Sequence, residues 1–159
     1  MSIWTVVVAA GAGERFGGDK QVADLAGWAV VARSVAAASS VSDGVVVVVS
    51  AERREAVADL VSGVDGVEAI VDGGATRSAS VRCGLAVVPA AAKVVLVHDG
   101  ARPLATPELF RRVVEAVLGG ADAVVPVVPV ADSLRTTDGR VMGRDGVIAV
   151  QTPQGFSAE

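Results

Sequence analysis

Residues Ala9-Ala10-Gly11-Ala12-Gly13-Glu14-Arg15-Phe16-Gly17-Gly18-Asp19-Lys20 hold four glycines and two cations directly behind an apolar run. Glycine lets a backbone approach a phosphate chain closely and present its N–H groups as an anion nest. Arg15 and Lys20 add positive charge where a phosphoryl group gains negative charge during transfer. The loop therefore predicts a grip on a nucleoside triphosphate. A Walker loop would end in Gly-Lys-Ser/Thr, and this chain has Asp19-Lys20-Gln21 instead. A dinucleotide fold would use Gly11, Gly13 and Gly17 and open a helix at once; Gly17-Gly18-Asp19 disfavours that helix, but the spacing does not exclude it. A purely structural glycine turn leaves the flanking cations unexplained.

Two later segments offer matching chemistry. Asp72-Gly73-Gly74-Ala75-Thr76-Arg77-Ser78-Ala79-Ser80-Val81 is a glycine turn feeding a hydroxyl-rich helix start, whose amides suit a base edge or an anion. An ordinary capped helix fits the same residues. Val97-His98-Asp99-Gly100-Ala101-Arg102-Pro103 places Asp99 for a sugar hydroxyl or a metal and Arg102 for a phosphate. A plain Asp99–Arg102 ion pair is the competing account. His98, the only histidine, reads as a packed core residue rather than a general base.

Elements of matching rhythm must position these segments. Short Val-rich runs without polar alternation predict buried strands at Trp4 to Ala9, Val45 to Val49, Val94 to Val97 and Ala123 to Val128, with a weaker one at Val67 to Val71. Helical stretches lie between them at Val30 to Ser39, Arg53 to Val61, Ser78 to Val87 and Pro107 to Leu118. The last has Thr106 as N-cap, Pro107 and Glu108 in its first turn, and Gly119-Gly120 to close it. The alternation predicts an α/β fold with a doubly wound, mostly parallel sheet, whose ligands bind at the carboxyl ends of the strands. From Val130 the pattern changes: Asp132 to Arg135 and Val141 to Arg144 flank the turn Thr136-Thr137-Asp138-Gly139-Arg140, which predicts a hairpin arm over 130–148 within a single domain, 1–159.

Composition narrows the function classes. Apolar residues make up 52% of the chain and aromatics 3%, so the core is built from Val, Ala and Leu. A net charge of −4 with dispersed cations argues against polymeric nucleic acid as a partner. The lone Cys83 and the lack of clustered metal-ligating residues suit a reduced, cytoplasmic protein without a protein-built metal centre. Ile3 to Ala10 is too short to span a bilayer and lacks a signal peptide's basic start and cleavage site, so no membrane association is expected.

The string Ala-Ala-Gly-x-Gly-x-Arg followed by Lys-Gln resembles the opening of the 2-C-methyl-D-erythritol 4-phosphate cytidylyltransferases, a branch of the nucleotidyltransferases. So do Gly74 and Ser80 in Gly-Gly-x-x-Arg-x-x-Ser, the element His98-Asp99-Gly100-Ala101-Arg102, the stretch Asp132-Ser133-Leu134-Arg135, and Arg144 ahead of Gln151-Thr152-Pro153-Gln154. The resemblance runs from Val6 to Phe156. It implies that Arg15 and Lys20 are catalytic, that Ala9, Ala10, Gly11, Ala12 and Gly13 cradle CTP, and that Gly74 and Ser80 read cytosine. It further implies that Asp99 and Arg102 serve nucleotide and sugar phosphate, with Mg²⁺ held mainly by the CTP phosphates. In such a homodimer the arm crosses to a second subunit, so that Ser133 and Arg144 act on the partner's methylerythritol phosphate and Thr152 acts within its own subunit. Relatives continue past this point with an acidic stretch and a strand carrying a substrate-binding Lys, so the resemblance implies a missing C-terminal segment. The short Arg15-to-Lys20 interval and Asp19 also resemble the molybdenum-cofactor nucleotidyltransferases. A non-catalytic nucleotide-binding module and a dinucleotide-dependent reductase are the remaining alternatives.

Overall fold

The computed structural model describes residues 2–11 and 20–158. The first apolar run forms strand β1, Ile3–Ala9. A small hairpin of β2, Asp24–Leu25, and β3, Trp28–Ala29, turns through Ala26 and Gly27 at φ 53° and 82° and leads into helix α1, Val30–Ser39. Strand β4, Gly44–Val49, passes through a short 3-10 turn at Ala51–Arg53 into α2, Arg54–Val61. Strand β5, Val67–Asp72, precedes α3, Arg77–Leu85, and β6, Val94–Asp99, precedes α4, Pro107–Leu118. Strands β7, Ala123–Val124, β8, Val127–Pro129, β9, Leu134–Arg135, β10, Val141–Met142, β11, Ile148–Val150, and β12, Gln154–Ser157, complete the described chain.

The main sheet runs β5-β4-β1-β6-β12-β7, with β5, β4, β1 and β6 mutually parallel and β12 antiparallel to both of its neighbours. This is the predicted α/β, mostly parallel architecture. Every residue of β4 is buried, because helices cover both of its faces. Val7, Ala9, Val45, Val47 and Val49 share one core cluster with residues of α1, α2 and α4, while Val6, Val46 and Val48 belong to a second cluster. Helix α3 closes onto that second face. A Cβ at its Gly84 would lie 2.4 Å from Val6 Cγ1, so only glycine lets the helix axis come this near the sheet. Full burial of each such valine contributes about 1.5–3 kcal/mol, so the strands that carry the site rest on a rigid floor.

Helix α4 follows its sequence signals: the Thr106 hydroxyl accepts from Leu109 N–H at 3.3 Å, and Phe110, Val113, Val114 and Val117 form one buried stripe. Three sequence expectations need correction. The run Ala123 to Val128 is two strands: Ala123–Val124 joins the main sheet, and beyond Pro126 the chain pairs Val127–Pro129 with β11 in a separate ribbon. Helix α3 ends two residues before Val87 and begins at Arg77, because the Thr76 hydroxyl caps it by accepting from Ala79 N–H at 3.1 Å. Helix α2 starts at Arg54, one residue late, behind the 3-10 turn. Within the segment read as a hairpin arm, Arg135 pairs with Val141 and Leu134 with Met142, while Ile148 pairs with Pro129 in the separate β8–β11 ribbon. Among the described residues no helix is long and apolar enough to cross a membrane.

Candidate active site

Three segments singled out in the sequence meet at the carboxyl ends of β1, β5 and β6. Gly73 N–H donates to Val49 O at 2.7 Å, and a Cβ at Gly73 would fall 2.5 Å from Ala10 Cβ and 2.7 Å from Ser80 Oγ. On the other side of β1, Gly100 N–H donates to Val8 O at 2.9 Å, and its Cβ would sit 3.1 Å from Ala9 Cβ. Ala9, Ala10 and Gly11 thus emerge between two glycine turns whose lack of side chains leaves backbone facing the strand end. Ala12, Gly13 and Arg15 lie outside the described residues.

The turn before α3 is held by its own serine. Gly74 N–H donates to the buried Ser80 Oγ at 3.1 Å, and that hydroxyl lies 3.3 Å from Gly74 O, to which it donates. One hydroxyl thereby fixes both polar groups of the glycine proposed to read a base.

Asp99 is the electrostatic centre. Arg77 Nε and Nη2 reach Asp99 Oδ1 at 3.0 and 2.9 Å, and Arg102 Nε reaches Oδ2 at 3.1 Å. Arg102 Nη1 also donates to Gln151 Oε1. The Asp99–Arg102 ion pair weighed in the sequence is therefore present, with Arg77 as a second guanidinium on the same carboxylate. All three side chains keep solvent access, at 29% for Asp99, 40% for Arg102 and 48% for Arg77, so the cluster remains open to exchange partners.

Beneath it lies His98, fully buried, its ring centroid 4.9 Å from that of Phe110 and its Nδ1 2.9 Å from Thr152 Oγ1. The same Thr152 oxygen accepts from Asp99 N–H at 3.2 Å. Burial pushes the imidazole down to about 4, outweighing the opposite pull of Asp99. Among the described residues Nε2 has no hydrogen-bond partner, and burial also outweighs the help that the Arg102 backbone would give a protonated ring. His98 is a neutral packing group at neutral pH, as its sequence context suggested.

Lys20 is half-buried at the head of a segment fastened to α1: Gln21 O accepts from Val31 N–H at 2.9 Å and Ala23 O from Val30 N–H at 3.0 Å. From α1, Ser34 Oγ donates to Gly100 O at 2.9 Å, which ties that helix to the Asp99 turn. Ser133 and Arg144 behave differently. Ser133 is exposed, and Arg144 Nη1 donates to Ala131 O at 2.6 Å within its own ribbon; neither makes a hydrogen bond or ion pair with the Asp99 cluster.

Sequence reasoning missed three participants. Arg53, on the 3-10 turn, donates from Nη1 to Gly11 O at 2.8 Å, at the entry of the glycine-rich loop. Arg77 was quoted only as part of a string, although its charge three residues before Ser80 was visible. Gln151 belongs to the motif preceding β12, whose Thr152–Pro153 peptide is cis. The Arg of the Gly-Gly-x-x-Arg-x-x-Ser string could have flagged Arg77; nothing in the sequence pointed Arg53 at Gly11.

Asp99 offers one carboxylate already engaged by two guanidinia, and among the described residues no group of three or more His, Cys, Asp or Glu side chains is arranged around a common metal position. Such a donor set suits a hard cation held by phosphate oxygens and water more than one held by a protein cage.

With this geometry in view, the family model for 2-C-methyl-D-erythritol 4-phosphate cytidylyltransferase matches residues 3–159. The chain is 45% identical over 163 residues to the protein of that name from Rhodococcus opacus, covering 97% of this chain and 70% of that one. It is 44% identical over 169 residues to its namesake in Cereibacter sphaeroides, covering 100% of this chain and 74% of the relative. The crystal structure of the Thermus thermophilus 2-C-methyl-D-erythritol 4-phosphate cytidylyltransferase superposes with a TM-score of 0.76 at 33% identity, over 99% of this chain and 71% of that one. That of 4-diphosphocytidyl-2C-methyl-D-erythritol synthase from Anaerococcus prevotii gives a TM-score of 0.83 at 29% identity, with coverage of 99% and 71%. These matches do not favour the molybdenum-cofactor, reductase or binding-module readings.

Proposed function

The chain belongs to the 2-C-methyl-D-erythritol 4-phosphate cytidylyltransferase family, and on that premise we propose how its residues carry out cytidylyl transfer. The enzyme is a nucleotidyltransferase that moves CMP from CTP to 2-C-methyl-D-erythritol 4-phosphate and releases diphosphate, a step of isoprenoid biosynthesis. An oxygen of the sugar phosphate attacks the α-phosphorus of CTP; the new P–O bond forms as the bond to the bridging oxygen breaks and diphosphate leaves with its electron pair. Positioning and charge stabilisation carry most of such a transfer.

In this reading Ala9, Ala10, Gly11, Ala12 and Gly13 follow the triphosphate, and Arg15 and Lys20 stabilise the charge that develops around the α-phosphorus. Gly74, its N–H held by Ser80, presents the remaining lone pair of its carbonyl to the cytosine edge. Asp99 orients a sugar hydroxyl, Arg102 takes the substrate phosphate, and Thr152 holds the Asp99 backbone in place. A divalent cation, Mg²⁺ in our proposal, would be held mainly by the CTP phosphates and would supply charge neutralisation there when bound. The observation that carries the reading is the convergence of Ala9 to Gly11, Gly73 to Ser80 and Asp99 to Arg102 around the end of β1.

A homodimer completes the proposal. The β8–β11 ribbon and the β9–β10 hairpin expose Val127, Val128, Val141, Met142, Ile148 and Val150, with Val141 at 76% of its full accessibility. Apolar side chains gathered on one projecting arm suit a protein interface. Through it, Ser133 and Arg144 would reach the partner subunit's substrate, in keeping with their separation from the Asp99 cluster here. We place the enzyme in the cytoplasm, where CTP is available.

The test is diphosphate release from CTP, Mg²⁺ and methylerythritol phosphate. Release that requires both organic substrates supports the assignment. CTP binding without release would move it to a non-catalytic module.

A further inference from the structure

Asp99 carries more positive charge around it than an orienting carboxylate needs. Arg77 arrives from the first residue of α3 and Arg102 from the turn after β6, and each guanidinium takes a different carboxylate oxygen. The two are not equivalent. Arg102 is divided between Asp99 and Gln151, whereas both bonding nitrogens of Arg77 converge on Asp99 Oδ1. Arg77 also sits next to Thr76, whose hydroxyl caps α3, and three residues before Ser80, which locks Gly74. Its anchor point therefore moves with the glycine turn, while Arg102 moves with the chain leaving β6.

When a phosphate recruits Arg102, that guanidinium must loosen its hold on Asp99 and Gln151. A carboxylate left without a counterion in a partly desolvated site costs free energy, and that cost would be charged against binding of the phosphate. A second arginine removes it by keeping Asp99 compensated throughout the exchange. We infer that Arg77 is a positioning residue that holds Asp99 while the substrate phosphate draws Arg102 away, joining the glycine turn before α3 to the phosphate-binding half of the site. The inference rests on the assignment of Arg102 to the substrate phosphate.

The test is a double-mutant cycle on Arg77 and Asp99. Arg77→Ala leaves Asp99 with Arg102 alone, so KM for methylerythritol phosphate should rise about tenfold, with a smaller change in kcat. Arg77→Lys, which keeps the charge but loses the paired geometry, should recover part of that loss. In the Asp99→Asn background there is no carboxylate to compensate, so removing Arg77 should leave KM for methylerythritol phosphate unchanged. An equal rise in both backgrounds, or none in the Arg77→Ala enzyme, would overturn the proposal. The same cycle is read without turnover from the dissociation constant of inorganic phosphate, followed by the Nε–Hε NMR signal of Arg102. If the phosphate cycle shows the coupling and the wild type does not turn over, the assigned reaction fails and the role of Arg77 survives. If turnover is normal and neither cycle shows coupling, the role of Arg77 fails alone.

Discussion

Stability at mildly acidic pH should be governed in large part by one buried ring. His98 titrates near 4 in the folded chain because burial disfavours its charged form, and near 6.5 once unfolded. Above about pH 7 both states hold it neutral and it contributes no pH dependence. Between 6.5 and about 4 the unfolded chain binds a proton that the folded chain refuses, so stability falls as pH falls through this window. The slope approaches about 1.4 kcal/mol per pH unit, which gives a loss of about 2 kcal/mol between pH 7.5 and 5 and about 3 kcal/mol once the folded-state value is passed. Urea unfolding of the wild type and of His98→Asn at matched pH values isolates this contribution, because the carboxylates titrate in both proteins. The difference in unfolding free energy should shrink by about 2 kcal/mol from pH 7.5 to 5. A difference that stays constant across that range would refute the picture of a ring kept neutral by its packing against Phe110 and Thr152.

Other expectations can be checked directly. Lys20→Ala should lower kcat by about 10²- to 10³-fold with intact folding, read by diphosphate release; near-normal turnover would remove it from the chemistry. Gly73→Ala places a methyl 2.5 Å from Ala10 Cβ and 2.7 Å from Ser80 Oγ, an overpacking of about 1–3 kcal/mol, and calorimetric titration should show CTP affinity reduced at least several-fold. Arg53→Ala removes the donor to Gly11 O and should raise KM for CTP by about fivefold, the equivalent of about 1 kcal/mol for such a bond. Val141→Glu puts a charge on the most exposed of the arm's apolar residues, and sedimentation velocity should show the proposed dimer shifted to monomer.

The parallel half of the fold was legible because valine runs flanked by helical stretches leave few alternatives. The strands Val45 to Val49 and Val94 to Val97 lie within β4 and β6, and Thr106-Pro107-Glu108 marked the start of α4 correctly. Strand β12 was not legible. Gln154–Ser157 is short and largely polar, and it becomes a strand only because β6 and β7 present hydrogen-bonding edges on both sides of it. The break at Pro126 was written in the sequence but hidden by its surrounding valines. Among the candidate site residues, Asp99, Arg102, Gly74 and Ser80 were singled out because their segments end a strand or open a helix, where ligands gather, whereas Thr152 was singled out by the resemblance alone. Arg53 and Gln151 reach the site through long side chains from neighbouring elements, a contact that no local spacing encodes.

The placement of β12 has a consequence for how the protein comes off the ribosome. It fills an interior slot of the sheet, between β6 and β7, yet 54 residues intervene between the end of β6 at Asp99 and its start at Gln154. At a synthesis rate of about 5–20 residues per second, β6 waits about 3–11 s with one edge bare. During that delay Val95 and Val97 offer an open apolar edge strand to any other nascent chain, and Gln151 and Thr152, which brace Arg102 and Asp99, are not yet in place. The interval is one in which a chaperone that covers strand edges would raise the yield of native protein, and in which slower decoding of the arm would lower it.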